Sequence, residues 1–189
     1  IPNSKISELT KQKSDSNNKF TATDKFDGIS DSDVVIICVP TPLRKTKEPD
    51  ITFVVSAANE ISRHITTDTL VVLESTTYPG TTKEILYKNI KEENQTLKIG
   101  EDLFIAFSPE RIDPGRTDFT IKNTPKVVGG MTKSCSKVAE SLYMQITEKV
   151  VPVSNPEIAE MVKLLENTFR LTNIALVNEL AIMCEQIGV

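Results

Sequence analysis

The sequence DVVIICV, at residues 33–39, is apart from its first residue a continuous apolar run that stops at Pro40. Such a β-branched run is typical of a strand that is buried on both faces, which is the usual situation in a parallel sheet. Pro40-Thr41-Pro42 then predicts a rigid loop at the carboxyl end of that strand. This stretch therefore predicts an α/β protein with a parallel sheet.

The same order of strand, loop and helix recurs along the chain. Further strands are predicted at residues 70–73, 103–107, 126–128 and 149–151, and helices at 50–65 (with Asp50 or Thr52 as cap), 81–93 and 133–145. Strands that alternate with helices of about 10–15 residues indicate a doubly wound parallel sheet with right-handed crossovers. Because ligands bind beyond the carboxyl ends of such strands, the candidate loops are 39–43, 74–80 and 108–115.

The beginning of the chain and one glycine pair are less informative. Residues 1–10 predict the end of a helix, 11–19 a loop and 20–23 a short strand. Gly129-Gly130 follows a predicted strand and is interpreted as a turn. No G-x-G-x-x-G sequence occurs, so if the fold binds a dinucleotide, its phosphate-binding unit would precede Ile1.

A long helix is predicted at residues 156–187. Asn155 can cap it, Pro156 suits its first position, and the carboxylate of Glu157 suits the positive end of the helix dipole. No proline or glycine follows until Gly188, so roughly 32 residues can continue as one helix of about 48 Å. Its apolar residues cover most of the circumference, which predicts burial on more than one side.

Four polar residues of this helix, spaced three or four apart, share one face: Glu160, Lys163, Asn167 and Arg170. They can form a solvated surface, which is the usual place of charged side chains. Alternatively, Lys163 and Asn167 project together into a cleft, where one supplies charge and the other hydrogen bonds. The spacing alone leaves both interpretations open.

Composition limits the classes of function. The 189 residues, 39% of them hydrophobic, suffice for one large domain, and the net charge of −4 gives no reason to expect nucleic acid or an anionic membrane as a partner. No apolar run is long enough to span a bilayer and no signal peptide is visible, so a cytoplasmic protein is expected. Cys38, Cys135 and Cys184 are expected to be buried or half-buried thiols in a reducing compartment, and no metal site is predicted.

Four motifs occur together along the chain: CVPTP at residues 38–42, ESTTYPGTT at 74–82, SPERIDPG at 108–115 and KLLENTFR at 163–170. In order and spacing they resemble the UDP-glucose/GDP-mannose dehydrogenase family. The loops are most similar to its UDP-N-acetylglucosamine and UDP-N-acetylmannosamine 6-dehydrogenase branch. The resemblance covers residues 30–189.

The resemblance implies an enzyme that oxidises C6 of a UDP-N-acetylhexosamine to a carboxylate with two NAD⁺, through a thioester on a cysteine. Residues 1–152 would be the later part of a Rossmann-type NAD-binding domain, and residues 153–189 a central helix that leads to a nucleotide-sugar domain. The chain is then expected to be an internal piece of a longer homodimeric protein, with the helix forming much of the dimer contact.

The same resemblance implies roles for individual residues. Those implied to line the NAD site are Val39, Pro40, Thr41, Ser75 and Thr76. Those implied to bind the sugar are Glu110, Arg111, Ile112, Asp113, Lys163, Asn167 and Arg170. Thr76 would also hold a water used in catalysis, and Glu110 would be the general base of thioester hydrolysis. Lys163 and Asn167 would stabilise an oxyanion, a task that suits a cation and an amide on one rigid helix face.

Two departures from the family pattern have consequences. Pro114 stands where the UDP-glucose dehydrogenases have a second glutamate, which argues against UDP-glucose as the substrate. None of the three cysteines lies in the glycine-rich setting of the family's nucleophile, so this chain alone is expected to be inactive.

Two other interpretations remain open. β-Hydroxyacid dehydrogenases of the 6-phosphogluconate dehydrogenase type also carry a lysine and an asparagine four residues apart on a long helix, as in Lys163 and Asn167. The Ser-Pro-Glu and Thr-Thr-Tyr-Pro-Gly loops favour the nucleotide-sugar interpretation over this one. A non-catalytic dimerisation module is the other alternative, because an uncovered apolar helix normally marks an interface.

Overall fold

The computed structural model describes residues 22–111 and 120–189. The predictions for residues 1–10 and 11–19 lie outside the described residues, and so do those for Ile112 and Asp113. Of the strand predicted at 20–23, the described residues Ala22 and Thr23 are not in a strand, so that prediction is wrong for them.

Strands and helices alternate through the described residues. The strands are β1 (Val34–Ile37), β2 (Thr69–Leu73), β3 (Leu103–Phe107), β4 (Lys126–Gly130) and β5 (Val150–Val153). The helices are α1 (Thr52–His64), α2 (Lys88–Glu93), α3 (Lys133–Tyr143) and α4 (Pro156–Ile187), with a 3-10 turn at Asp27–Ile29 and a π-helical segment, Thr82–Tyr87, directly before α2. From residue 33 onward, the predicted strands and helices are confirmed to within a few residues.

The prediction of a side-chain cap is confirmed for the last helix, at Asn155, and is wrong for the first helix, whose N-cap is Ile51 without a side-chain hydrogen bond. The Asp50 carboxylate accepts the N–H of Thr52 at 3.0 Å, and the Asn155 side chain accepts the N–H of Ile158 at 2.9 Å. Gly188, with φ at +71°, ends α4 in the left-handed conformation. The two side chains accept N–H groups that have no partner inside the helix. Gly188 turns the chain away from the helix axis at its carboxyl end.

The strands form one sheet in the order β1-β2-β3-β4-β5. β1 pairs with β2, β2 with β3, and β4 with β5 in the predicted parallel direction. β4 runs antiparallel to β3, with Ala106 opposite Gly130, so the prediction of a parallel sheet is wrong at this pair. A parallel pair needs a crossover of a dozen or more residues, usually a helix, and the described residues between β3 and β4 contain no helix.

The pair Gly129-Gly130 lies inside β4, so its interpretation as a turn is wrong. A Cβ atom on Gly129 would stand 2.3 Å from the carbonyl oxygen of Asn155, and one on Gly130 would stand 2.2 Å from the backbone nitrogen of Ser136. The two glycines therefore allow the beginnings of α4 and α3 to pass directly over the strand. Close backbone approach, and not a turn, explains them.

The core lies on both faces of the sheet, and every residue of β2 is buried. Val71 and Leu73 face α1, the π-helical segment and the beginning of α4, whereas Leu70 and Val72 face α3. β1 is the end strand of the described sheet, and Ile36 is 43% exposed. The predicted burial of this strand on both faces is therefore wrong at Ile36, which projects from the face that α3 covers over β2 to β5.

Helix α4 leaves the body of the protein after its first turns. Pro156, Ala159 and Glu160 are buried, whereas Leu165, Phe169 and most apolar residues beyond them are exposed. The predicted burial on more than one side is therefore wrong for this stretch within the described residues. Neither α4 nor another described helix is apolar enough over a sufficient length to cross a membrane.

Replacing Gly130 by alanine is expected to lower the free energy of unfolding by about 1–3 kcal/mol or more, because the new methyl group would overlap the backbone of α3. Gly28→Ala is the matched control, since a Cβ atom there has no heavy atom within 4 Å, and its effect should stay within about 0.5 kcal/mol. Urea denaturation followed by circular dichroism measures both variants. Equal losses would contradict the close-approach explanation.

Candidate functional site

Three loops meet beyond the carboxyl ends of β1, β2 and β3. They border an open cleft of about 480 Å³, lined by Cys38, Val39, Pro40, Thr41, Glu74, Ser75, Thr76 and Glu110. The structure therefore brings together the residues that the sequence analysis proposes for NAD and the proposed general base, Glu110.

Hydrogen bonds between the first two loops fix the shape of this cleft. The Ser75 hydroxyl donates to the carbonyl of Val39 at 2.7 Å, and the Thr41 hydroxyl donates to the carbonyl of Thr76 at 2.8 Å. Ser75 is buried, so its hydroxyl holds the loops together and is turned away from solvent. At the cleft, Pro40 is exposed, and Val39 and Thr76 are partly exposed.

Helix α4 reaches the third loop through Lys163. Its ammonium donates to the backbone carbonyl of Glu110 at 2.5 Å. Next to it, Arg111 forms an ion pair with Glu166 and donates to the carbonyl of Pro125 at 2.9 Å. Two adjacent residues of the third loop are thus anchored to side chains of α4 that are three residues apart.

The other predicted residues of α4 lie beyond these anchors. Asn167 stands four residues after Lys163, on the same face, and is exposed. Arg170 is exposed as well. The structure therefore places Glu110, Arg111 and Lys163 together, with Asn167 about one helical turn away.

Burial governs the ionisation of Lys163. The loss of hydration lowers the pKa of its ammonium, and the positive charges of Arg170 and Arg111 act in the same direction. The carboxylates of Glu166 and Glu110 oppose this change. An ammonium whose pKa is lowered loses its charge at a lower pH than a solvated lysine does.

A charged cluster that the sequence analysis did not identify adjoins the cleft. The ammonium of Lys126 lies 2.9 Å from a carboxylate oxygen of Glu74 and 3.8 Å from one of Glu110. The Tyr143 hydroxyl donates to the same Glu74 carboxylate. Burial, reinforced by the charge of Glu74, raises the pKa of Tyr143, so its hydroxyl remains a donor. The charge of Glu74 at the start of a candidate loop was the one sequence signal for this cluster.

Cys38 borders the cleft and is exposed, which contradicts the prediction of a buried or half-buried residue within a strand. The reason is that β1 ends one residue earlier, at Ile37. The thiol donates to Glu74 at 3.7 Å. Desolvation of the sulfur, and then the carboxylate of Glu74, raise the pKa of Cys38 to about 11, so the thiol is protonated at neutral pH. Cys135 is buried and Cys184 has intermediate exposure, as predicted.

Glu160, the first member of the predicted polar face, is fully buried. Its carboxylate accepts the N–H of Gly80 at 2.5 Å, the N–H of Thr82 at 2.8 Å and the hydroxyl of Thr82 at 2.7 Å. Burial raises the pKa of this carboxyl, and the three donors oppose the rise. Glu160 therefore binds the start of the π-helical segment to α4, a role that neither interpretation of the polar face included, while Lys163 contacts the backbone of Glu110, which lines the cleft.

Family models and curated relatives agree on the class of this protein. Residues 1–147 match the NAD binding domain of the UDP-glucose/GDP-mannose dehydrogenase family, and residues 157–189 match its central domain. A UDP-N-acetyl-D-mannosamine dehydrogenase of Pyrococcus horikoshii is 37% identical over 171 residues, which are 90% of this chain and 40% of that protein. A UDP-N-acetyl-D-glucosamine 6-dehydrogenase of Pseudomonas aeruginosa is 39% identical over 157 residues, or 82% of this chain and 37% of that protein.

Solved structures give the same result. The UDP-D-ManNAc dehydrogenase of Pyrococcus horikoshii has a TM-score of 0.82 and 36% identity, over 88% of this chain and 39% of that one. The UDP-N-acetyl-mannosamine dehydrogenase Cap5O of Staphylococcus aureus has a TM-score of 0.73 and 34% identity, over 84% of this chain and 38% of that one. The chain spans about two fifths of the length of these relatives. It belongs to the UDP-glucose/GDP-mannose dehydrogenase family, a family of nucleotide-sugar dehydrogenases.

The match to the NAD binding domain confirms the predicted Rossmann-type fold and NAD as the cofactor. The residues of the cleft fit part of that molecule. Val39 and Pro40 offer apolar surface to a flat ring, and Thr76 offers a hydroxyl at the cleft. The buried hydroxyl of Thr77 finds no hydrogen-bond partner among the described residues. The loop after β2 therefore keeps one hydroxyl that could still form a hydrogen bond.

The variant Glu160→Gln is expected to lower the free energy of unfolding by about 1–3 kcal/mol, because its amide nitrogen would face an N–H group and leave it unpaired. Glu157→Gln, three residues earlier on α4, is the control. Its carboxylate is 34% exposed and lies 4.0 Å from Lys83, so the loss should stay below about 0.5 kcal/mol. Chemical denaturation compares the two, and equal stabilities would argue against the proposed role of Glu160.

Proposed function

We propose that this chain is the cofactor-binding part and central helix of an enzyme that oxidises C6 of UDP-GlcNAc or UDP-ManNAc to the uronate with two NAD⁺. The observation that carries the proposal is the hydrogen bond from the Lys163 ammonium to the carbonyl of Glu110, which holds a cation next to a carboxylate residue that lines the cleft. The names of the relatives, a mannosamine dehydrogenase and a glucosamine 6-dehydrogenase, support the N-acetylhexosamine class.

The proposal divides the chain into residues 1–152 and 153–189. The family matches support this division, because one ends at residue 147 and the other begins at residue 157. The exposed course of α4 beyond its first turns is also what a connection to a further domain requires.

The oxidation removes four electrons from the alcohol carbon as two hydrides. NAD supplies the acceptor for each hydride when it is bound. In the proposed sequence a thiol adds to the aldehyde after the first transfer, the second transfer leaves a thioester, and water releases the carboxylate and restores the thiol. Negative charge develops on the substrate oxygen in these steps, so a fixed cation beside it lowers the barriers.

Lys163 and Asn167 are the proposed partners of that oxygen. An ammonium has three N–H donors, and one of those on Lys163 serves the carbonyl of Glu110. The others remain for a substrate oxygen, while the bond to Glu110 fixes the position of the ammonium before the substrate binds. Asn167 lies on the same helix face and adds an amide donor.

Glu110 is the proposed general base of thioester hydrolysis, and Thr76 is proposed to hold the attacking water. Their position along one cleft supports this pairing, because a base must lie within hydrogen-bond reach of the water that it activates. The remaining proposed sugar contacts are Arg111, Ile112, Asp113 and Arg170.

The nucleophilic thiol is proposed to come from a cysteine outside these 189 residues. Cys38 is protonated, with a pKa of about 11. Cys135 is fully buried. Cys184 lies about 32 Å along α4 from Lys163, at 1.5 Å per residue. The three thiols of this chain are therefore unsuited to the role, and the chain alone is expected to be inactive.

A homodimer through α4 is part of the proposal. Apolar residues are exposed along the helix, among them Leu171, Val177 and Leu180. A contiguous apolar surface of this kind normally marks an interface, which supports contact with a second copy.

A full-length protein that carries this chain tests the proposal when it is incubated with NAD⁺ and, separately, with UDP-GlcNAc, UDP-ManNAc and UDP-glucose. The expected result is two NADH per N-acetylhexosamine, counted by absorbance against sugar consumed. Lys163→Ala should lower kcat by about 10²–10³. Lys88→Ala, at a lysine that is 66% exposed on α2, should leave kcat unchanged.

Two other results would favour a different function for this chain. Turnover of a small 3-hydroxy acid, without NADH from any of the three nucleotide sugars, would favour the β-hydroxyacid dehydrogenases. A full-length protein whose activity is unaffected by Lys163→Ala and Glu110→Ala would favour a non-catalytic assembly role for this part of the chain.

The pH dependence of kcat provides a separate prediction about Lys163. Burial lowers the pKa of its ammonium below 10.5. Activity that needs this charge should therefore be present below the lowered pKa and be lost as the pH rises through it. Lys163→Arg keeps its charge at all accessible pH values, so its residual activity should extend to higher pH. Profiles of kcat from about pH 7 to about pH 11 for both proteins test whether the charge of Lys163 limits activity at high pH. Coincident alkaline limbs of the two profiles would contradict this role of Lys163.

A further inference from the structure

Lys126 is a charged side chain in a place where lysine is uncommon. It begins β4, and its side chain is only 14% exposed, while the side chain of its partner Glu74 is 12% exposed. The Lys126 ammonium lies 2.9 Å from Glu74 and 5.0 Å from the centre of the Tyr143 ring. Both side chains are therefore largely withdrawn from water, and the contacts with Glu74 and Tyr143 restrict the position of the Lys126 ammonium.

Glu74 is held from three elements of the fold at once. Lys126 comes from β4, the hydroxyl of Tyr143 from the end of α3, and the thiol of Cys38 from the residue after β1. These three contacts therefore hold the Glu74 carboxylate in one position, and in this sense Glu74 is an anchor. A carboxylate with several donors is well suited to fix a neighbouring cation.

The same ammonium lies 3.8 Å from a carboxylate oxygen of Glu110. The Glu110 side chain is 53% exposed, so burial does little to restrict it. Its main chain is held separately, because Lys163 of α4 binds the Glu110 carbonyl at 2.5 Å. Two lysines from different elements thus hold Glu110, one at its carbonyl and one at its carboxylate.

We propose that Lys126 is a positioning residue for this enzyme, which holds the Glu110 carboxylate at the cleft while Glu74 fixes Lys126. The inference rests on the proposed function, in which Glu110 is the general base of thioester hydrolysis. Misplacement of a catalytic group by about 1 Å can cost about 100-fold in rate, which is why a second residue behind the base matters.

Other polar groups face Glu110, and they do not replace Lys126. The backbone N–H of Arg111 donates to the Glu110 carboxylate at 2.7 Å, within the same loop. Glu74 is a like charge and Cys38 a neutral thiol. The Lys163 ammonium is engaged with the carbonyl. Among the contacts of the described residues, Lys126 links the Glu110 carboxylate to the body of the sheet.

The test compares Lys126→Met and Lys126→Arg in the full-length protein. Methionine fills similar space without charge, and kcat should fall about 10- to 100-fold, while KM for the nucleotide sugar should change less than about threefold because the proposed sugar contacts other than Glu110 remain. Arginine keeps the charge and should restore kcat to within about threefold of the wild type. Lys122→Met, at an exposed lysine four residues earlier, is the control and should leave kcat unchanged.

A loss that came only from instability is separated by a double variant. Lys126→Met leaves the carboxylate of Glu74, which is only 12% exposed, without its cation, and this lowers the melting temperature. Glu74→Gln/Lys126→Met removes both charges and should recover much of the melting temperature while kcat stays low. If kcat recovers together with stability, Lys126 is structural only and the inference is overturned.

A structural readout separates this inference from the proposed function. In a crystal structure of the full-length Lys126→Met variant, the Glu110 carboxylate should be displaced by about 1 Å or more from its wild-type position or have weak density, whatever the substrate proves to be. A Glu110 carboxylate in the wild-type position would overturn the inference even if the enzyme oxidises a UDP-N-acetylhexosamine. An absence of NADH formation by the wild type would refute the proposed function alone.

Discussion

The buried carboxylate of Glu160 is the contact on which the geometry of the site depends. It accepts three hydrogen bonds from Gly80 and Thr82 and so fixes the loop after β2 to the beginning of α4. Lys163 is three residues further along the same helix, a rise of about 4.5 Å, and binds the loop after β3. One rigid helix therefore sets the position of two loops at once. A buried carboxylate tolerates little error in this arrangement, because each unpaired donor or acceptor costs free energy.

Three glutamates near the cleft differ in their surroundings, and the surroundings decide what each can do. Glu160 is fully buried and bound to backbone N–H groups, so it holds the loop after β2 against α4. Glu74 is bound to a lysine, a tyrosine and a cysteine and so serves as an anchor. Glu110 stands at the cleft with its side chain about half exposed, where a carboxylate can exchange protons with water. The exposed apolar length of α4 is the other unusual surface, and it fits the proposed contact with a second copy.

Sequence patterns predicted the features that depend on interactions between residues close together in the chain. The strands, the side-chain cap at Asn155 and the length of α4 follow from periodicity, helix dipoles and the placement of glycine and proline. The antiparallel direction of β4 was missed, because strand direction depends on how the connection returns and not on the strand's own residues. The sequence favours a turn at Gly129-Gly130, because a glycine that allows two backbones to approach closely cannot be told from a loop glycine by its neighbours in sequence. The ion pair of Glu74 with Lys126 joins residues 52 positions apart and was not predicted, because spacing rules act over one or two helical turns.

The loops after β1, β2 and β3, together with Lys163, are proposed to form one site for NAD and the reacting carbon of the sugar. The most direct test is a crystal structure of the full-length protein with NAD⁺ and UDP-GlcNAc or UDP-ManNAc bound. We expect the nicotinamide in the cleft beside Val39 and Thr76, and the oxygen on C6 within about 3.2 Å of the Lys163 ammonium. A sugar whose C6 lies away from both Lys163 and Glu110, with the nicotinamide outside this cleft, would contradict it.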